Sequence, residues 1–246
     1  MRLRVDDHDR ERARPEFEQS ILDDLEWLGL VPDAPPIAAF RAGRCEGRQS
    51  DHPERYGAAL DVLVDAGLAY GCACSRRDIL ERGATADGDG HGELTYDGYC
   101  RHRGLPLASN TGVRIVMAPG VEVFDDALLG RQAQDPAGQC GDLLVRDRHG
   151  NWTYQFAVTV DDMTEGITDV IRGRDLLAST GRQIRLARLL GREAPPRFHH
   201  HPLIVGADGV KLSKSRGDEA LRELRLAGVT PAAAVERALS RAGWTP

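Results

Sequence analysis

Apolar runs of strand length alternate with amphipathic helical stretches along this chain. TGVRIVMA (111–118), DLLVRD (142–147) and WTYQFAVTV (152–160) read as strands, the last ending at Asp161 and Asp162. EQSILDDLEWLGL (18–30), HPERYGAALDVLVDAGLAY (52–70) and DLLASTGRQIRLARLLG (175–191) place their apolar residues at helical spacing. VPDAPP (31–36) breaks the first helix, and the Gly- and Asp-rich TADGDGHGE (85–93) reads as a mobile loop. HPLIVG (201–206) reads as a short buried strand, and 221–244 as one or two closing helices with Pro231 early in the last. Such alternation predicts an α/β domain on a mostly parallel sheet, with no repeat and no coiled coil.

The 246 residues suit one large domain, or one domain with a small insertion. No apolar run approaches the roughly 20 residues of a membrane helix. The N-terminus, MRLRVDDHDRERARPE, is too charged for a signal peptide, so the expected location is cytoplasmic. A net charge of -6 argues against coating nucleic acid through bulk charge, yet leaves room for a local basic groove.

Five cysteines, Cys45, Cys72, Cys74, Cys100 and Cys140, do not suggest a disulfide framework in a cytosolic chain. The close set CAC (72–74) and YDGYC (96–100) suits a metal better. Two thiolates from a tight turn and one from a second segment begin a tetrahedral zinc shell that needs one more ligand. Tyr96, His91 and His102 are the candidates; tyrosine is an unusual zinc ligand, so spacing alone favours a histidine. Tyr96 and Cys100 would share a face on a helical turn. The other reading is three reduced, buried cysteines without metal.

GVKLSKSRGD (209–218) gathers Lys211, Lys214, Ser213 and Ser215 among glycines. Few of the 32 basic residues are lysines, and two sit here. Ammonium groups, hydroxyls and glycine-permitted N–H groups together can grip polyphosphate; a solvated turn is the plainer reading. Tyr154 and Arg172, in YQFAVTVDD and DVIRGRDLL, could clasp a small acid beyond the sheet's strand ends. Alternatively Arg172 pairs with Asp161 or Asp162. Asp6 and Asp7 could receive an amino group or simply begin a helix. Of His199, His200 and His201, at least one would line a nucleotide pocket.

Together these stretches resemble the class I aminoacyl-tRNA synthetases. KLSKS (211–215) is similar to their second ATP-binding motif. YQFAVTVDD, GITDVIRGRDLL and HHPLIVGADGVKLSKSRGD resemble the glutamate-specific branch, and CAC with YDGYC resembles the zinc site of its shortened glutamyl-Q tRNA(Asp) members. The likeness runs from about Arg4 to Trp244. It implies a Rossmann-type catalytic domain over 1–246 with a zinc-binding insertion at 70–108 and no anticodon-binding domain.

The implied reaction is ATP-dependent activation of L-glutamate, with Mg2+, and its transfer to queuosine in the anticodon loop of tRNA(Asp). By the same likeness Lys214 and Lys211 are catalytic, and Lys214, Ser213, Ser215 and His200 contact ATP. Asp6, Tyr154 and Arg172 hold glutamate; Asp6 falls where the family carries a longer acid. Cys72, Cys74, Tyr96 and Cys100 bind one Zn2+ per chain. A monomer without membrane contact is expected. No HIGH-type motif occurs in the sequence, so the expectation is an N-terminally incomplete catalytic domain. The competing expectation is an inactive relative that binds zinc, ligand or RNA only.

Overall fold

The computed structural model describes residues 1–9, 13–84, 94–108, 110–206 and 220–243. They fall into two compact units, Met1–Asp51 with His201–Pro246, and His52–His200. In the first, α1 (Pro15–Trp27) has Pro at its start, where the missing N–H has no helical partner to lose. Glu16 and Glu18 sit in its first turn, at the positive end of the helix dipole. It buries Leu22 against Ile37 and Phe40 of α2 (Ile37–Ala42) and against Cys45. Arg48 fastens the return of the chain. It forks onto both Glu18 oxygens and also reaches Asp51 and the Phe40 and Gly43 carbonyls.

The second unit begins with α3 (Pro53–Asp65), β1 (Ala69–Cys72) and α4 (Arg76–Glu81). Then come β2 (Gly112–Ile115), β3 (Glu122–Asp126), β4 (Gly130–Gln134), α5 (Pro136–Cys140) and β5 (Leu143–Arg146). It closes with α6 (Tyr154–Thr164), β6 (Asp169–Gly173), a 3-10 turn (Arg174–Ser179), α7 (Thr180–Leu189) and β7 (Arg197–His201). One sheet has the order β1-β2-β5 and is antiparallel, with Ala69 opposite Ile115. The other has the order β4-β3-β7-β6, in which β3 pairs antiparallel with β4 and parallel with β7. The alternation of strand and helix holds, but the mostly parallel sheet does not: every pair of the first sheet is antiparallel, and so is β3 with β4 in the second.

The core of this unit joins Leu60 and Leu63 of α3, Val113 and Ile115 of β2, Leu143 and Val145 of β5, Phe156 and Val160 of α6, and Leu186 of α7. Fully burying one such side chain contributes about 1.5–3 kcal/mol. Beside it, the α6 carboxylate of Asp161 is fully enclosed and receives Arg55 Nη1 at 2.6 Å and the Tyr56 hydroxyl at 2.9 Å.

Residues 152–160, expected as a strand, form most of α6. Every residue from Gln155 to Asp161 is buried, so no polar stripe betrays the helical period. A helix enclosed on all sides and a buried strand present the same apolar run. The strand expected at 201–206 lies earlier, at β7. Pro202 follows directly and has no N–H to continue the ladder.

Two glycines permit close backbone approaches. A Cβ on Gly71 would fall 2.6 Å from the Leu105 and Pro106 carbonyl oxygens. One on Gly141, whose φ is +63°, would fall 1.9 Å from the Tyr96 carbonyl oxygen. That proximity lets Tyr96 N–H bond the Cys140 carbonyl at 2.9 Å.

The first unit resumes with α8 (Leu221–Leu226) and α9 (Pro231–Arg241). Arg225 of α8 ties to Asp24 of α1 at 2.9 Å. Thr230 caps α9 by accepting from Ala233 N–H, with Pro231 at the first position. The two expected closing helices are both present.

Candidate functional site

β1 delivers Cys72 at its end, and Cys74 follows just before the Ser75–Asp78 capping box that starts α4. Tyr96 arrives from the other side on its bridge to Gly141, and a turn brings back Cys100. The Cys72, Cys74 and Cys100 sulfurs all lie within 4.8 Å of one another. Cys74 and Cys100 Sγ are 3.5 Å apart, and the Tyr96 hydroxyl lies 3.4 Å from Cys72 Sγ and 3.6 Å from Cys74 Sγ. A tetrahedron with zinc–sulfur bonds of about 2.3 Å has edges of about 3.8 Å. The three sulfurs are therefore spaced as a metal site requires, and the Tyr96 hydroxyl lies within the same range. His102 is exposed and joins no such group among the described residues; His91 lies outside them.

Cations surround these sulfurs. Arg114 Nε–H points at Cys72 Sγ and Arg82 Nη2–H at Cys74 Sγ, each at 3.4 Å. The Arg114 guanidinium also lies 3.7 Å over the Tyr96 ring. Burial pushes the Cys74 thiol up from its ordinary value and the Tyr96 phenol well above its own. Burial opposes the Cys100 thiolate too, but Tyr96, the Ala73 N–H and the neighbouring thiols outweigh it and the value falls. Losing these protons in a half-buried pocket requires positive charge, which the arginines supply in part and a bound cation would complete.

A second cluster gathers around Arg172, near the end of β6. Its Nε donates to His200 Nε2 at 2.9 Å, Nη1 to Gln183 Oε1 at 2.7 Å, and Nη2 to Thr180 Oγ1 at 2.8 Å. Thr180 and Gln183 lie in the first turns of α7, and His200 on β7. The guanidinium sits 5.4 Å from the Phe198 ring centre. Among the described residues no carboxylate comes within ion-pair distance of it. Asp161, offered above as a partner, is held by Arg55 and Tyr56 instead. Burial lowers Arg172 from its ordinary value, and Tyr154 and Asp162 oppose that. Tyr154, at the start of α6, lies near enough to act on its charge. The structure thus brings Tyr154 and Arg172 near one another, around a cation bonded by neutral groups.

His200 is fully buried, with both ring nitrogens engaged. The structure sets it behind Arg172, not on a wall open to nucleotide. His199 is half-exposed beside Asp169, and His201 Nδ1 contacts the Pro202 carbonyl. Thr180, Gln183 and Asp126 were not foreseen from sequence; the signal at hand was the polar TGRQ (180–183) that opens α7.

In the first unit, Asp6 and Asp7 line a cavity of about 430 Å³ with Phe17, Ile21 and Arg48. Asp6 accepts from Arg4 Nε at 2.7 Å, and Asp7 accepts from Ser50 N–H at 2.8 Å. They do not open a helix, since α1 begins at Pro15. Lys211, Ser213, Lys214 and Ser215 lie outside the described residues.

The sequence matches the family described as tRNA synthetases class I (E and Q), catalytic domain, over residues 1–246. It is 44% identical over 222 residues to a glutamyl-Q tRNA(Asp) synthetase of Bordetella bronchiseptica, covering 89% of this chain and 66% of that protein. A protein of the same name from Geobacter sulfurreducens is 43% identical over 86% of this chain and 64% of its own length. The crystal structure of a glutamate-tRNA synthetase from Elizabethkingia anophelis superimposes with a TM-score of 0.70 at 27% identity, covering 88% of this chain and 46% of the other. The chain thus spans about two thirds of the length of these curated relatives and under half of the solved one.

Proposed function

The chain belongs to the class I tRNA synthetase (E and Q) catalytic-domain family, and on that premise we propose that it activates L-glutamate with ATP and transfers it to queuosine in the anticodon loop of tRNA(Asp). The observation that carries this reading is Arg172: a half-buried guanidinium with neutral acceptors, no acidic partner among the described residues, and Tyr154 beside it. Such a cation gains most from a small anionic ligand. A carboxylate clamped by arginine is a poor nucleophile, so Arg172 takes the side-chain carboxylate of glutamate. The α-carboxylate stays free to attack the α-phosphorus of ATP and expel pyrophosphate.

In this reading Asp6 receives the α-amino group, and Lys211, Ser213, Lys214 and Ser215 meet the phosphates. Charge developing on the phosphates is the step that preorganised donors accelerate, and one such donor is worth about 10²–10³ in rate. Cys72, Cys74, Cys100 and Tyr96 would hold zinc, which supplies a structural tie between two segments and no chemistry on the substrate. The zinc-bearing stretch 70–108 serves as an insertion in the catalytic domain.

The experiment is glutamate-dependent ATP–pyrophosphate exchange, followed by transfer of labelled glutamate to tRNA(Asp) carrying or lacking queuosine. Exchange with glutamate but not aspartate, and label on the queuosine form alone, is expected. Equal labelling of both tRNAs would overturn the anticodon assignment, and exchange with aspartate as efficient as with glutamate would overturn the substrate.

A further inference from the structure

Behind Arg172 lies a buried chain of polar groups that touches no surface. Asp126, at the end of β3, is fully buried and accepts from four N–H groups: His200 Nδ1 at 2.6 Å, His200 N at 3.2 Å, and the amides of Leu128 and Leu129 at 3.0 and 2.9 Å. So many donors keep a carboxylate charged. A charged carboxylate against Nδ1 places the imidazole proton there, which leaves Nε2 as a lone pair. That lone pair meets Arg172 Nε–H at 2.9 Å and Thr180 Oγ1 at 3.2 Å. With the other tautomer, or with a doubly protonated ring, two donors would face each other in a dry site.

We propose that Asp126 and His200 are a positioning pair that fixes the Arg172 guanidinium for its ligand. A guanidinium has five N–H groups. The protein takes one at Nε through His200 and one at each Nη, through Gln183 and Thr180. One hydrogen remains on each Nη, for Tyr154 and for a carboxylate ligand. Holding Nε from behind with a neutral acceptor sets the direction of these two without neutralising the charge. A carboxylate at the position of His200 would have held Arg172 as firmly and consumed its attraction for an anion. Asp126 supplies its charge one ring away, where it fixes the tautomer instead.

The pair serves the glutamate-binding reading above and rests on it for the identity of the ligand. The test is arranged so that the two can fail separately. In the chain labelled with 15N, the His200 ring should show a protonated Nδ1 and an unprotonated Nε2, and the Arg172 Nε–H should give a slowly exchanging signal. A protonated Nε2 would overturn the pair without reference to any ligand. Asp126→Asn lets an amide donate to Nδ1 and reverse the tautomer. It should move the Arg172 Nε–H signal and weaken L-glutamate binding by about 10- to 100-fold, the range for losing a hydrogen bond to a charged group. The KM for ATP should stay within about twofold, a smaller change than one hydrogen bond causes.

His200→Gln keeps an acceptor for Arg172 and should recover most of the affinity that His200→Leu loses, a rescue that a purely structural role would not give. If the wild-type chain binds no L-glutamate, the substrate reading falls, while the ring and guanidinium signals still decide the pair. If glutamate binds and Asp126→Asn changes neither the Arg172 signal nor the affinity, the pair is refuted.

Discussion

The Arg114 guanidinium lies over the Tyr96 ring at 3.7 Å while its Nε–H reaches the Cys72 sulfur at 3.4 Å. One side chain thus touches two of the four donors suited to zinc, and its Nη1 bonds the Asp142 carbonyl at 2.7 Å. Groups that orient ligands from behind commonly contribute 10–100-fold to metal affinity. Arg114→Ala is expected to weaken zinc retention by about that factor while leaving the ligand set intact. Competition with a chromophoric chelator measures it, and an unchanged affinity would make the stacking incidental.

One zinc per chain is expected from protein purified without added metal. Cys72→Ser combined with Cys74→Ser should bring the content close to zero, because a site with one thiolate and one phenol is not a closed structural site. Elemental analysis decides it. A native content far below one equivalent would mean that three reduced thiols simply pack together.

Lys211 and Lys214 are the only lysines in the sequence. An amine-acylating reagent therefore has two side-chain targets and the N-terminus, which peptide mass analysis resolves. ATP should protect both lysines and leave the N-terminal amine labelled as before. Labelling that ignores ATP would detach these two lysines from the nucleotide.

Arg172→Ala should weaken glutamate binding more than any change to ATP binding, by at least about 10–100-fold, since a bond between two charged groups is lost. Calorimetric titration of each ligand separates the effects. Equal weakening of both would point to a general loss of packing.

At Gly141 a side chain meets both positive φ and the Tyr96 carbonyl 1.9 Å from the new Cβ. Gly141→Ala should cost more than the roughly 1–3 kcal/mol of left-handed strain alone, because backbone must also move. A fall in Tm together with zinc loss is expected. A fall in Tm with full zinc would show that Tyr96 is dispensable to the metal.

The thiol cluster was legible because its cysteines lie close in sequence, at 72–74 and 100. The structure brings the Tyr96 hydroxyl beside the thiols through a bridge to Gly141 that no local spacing announces. Tyr154 and Arg172 were legible through resemblance, yet their surroundings were not. Asp126 and His200 are far apart in sequence, and only the parallel pairing of β3 with β7 joins them. The misreading of α6 has the opposite origin, since a fully buried helix discards the periodicity that identifies helices. Lys211, Lys214, the 85–93 segment and with it His91 lie outside the described residues.

Asp142 accepts from the Tyr70 hydroxyl at 2.5 Å, from Arg101 at 2.6 and 2.8 Å, and from the Met117 amide at 3.0 Å. Its carbonyl holds Arg114, and Gly141 before it carries Tyr96. The cysteine-bearing segment and the β1-β2-β5 sheet therefore meet through one buried carboxylate and the residue preceding it. Elements coupled so closely open as a single cooperative unit. In hydrogen–deuterium exchange the amides of Val113 to Ile115 should share one opening free energy with those around Cys100, and chelation should accelerate both sets together.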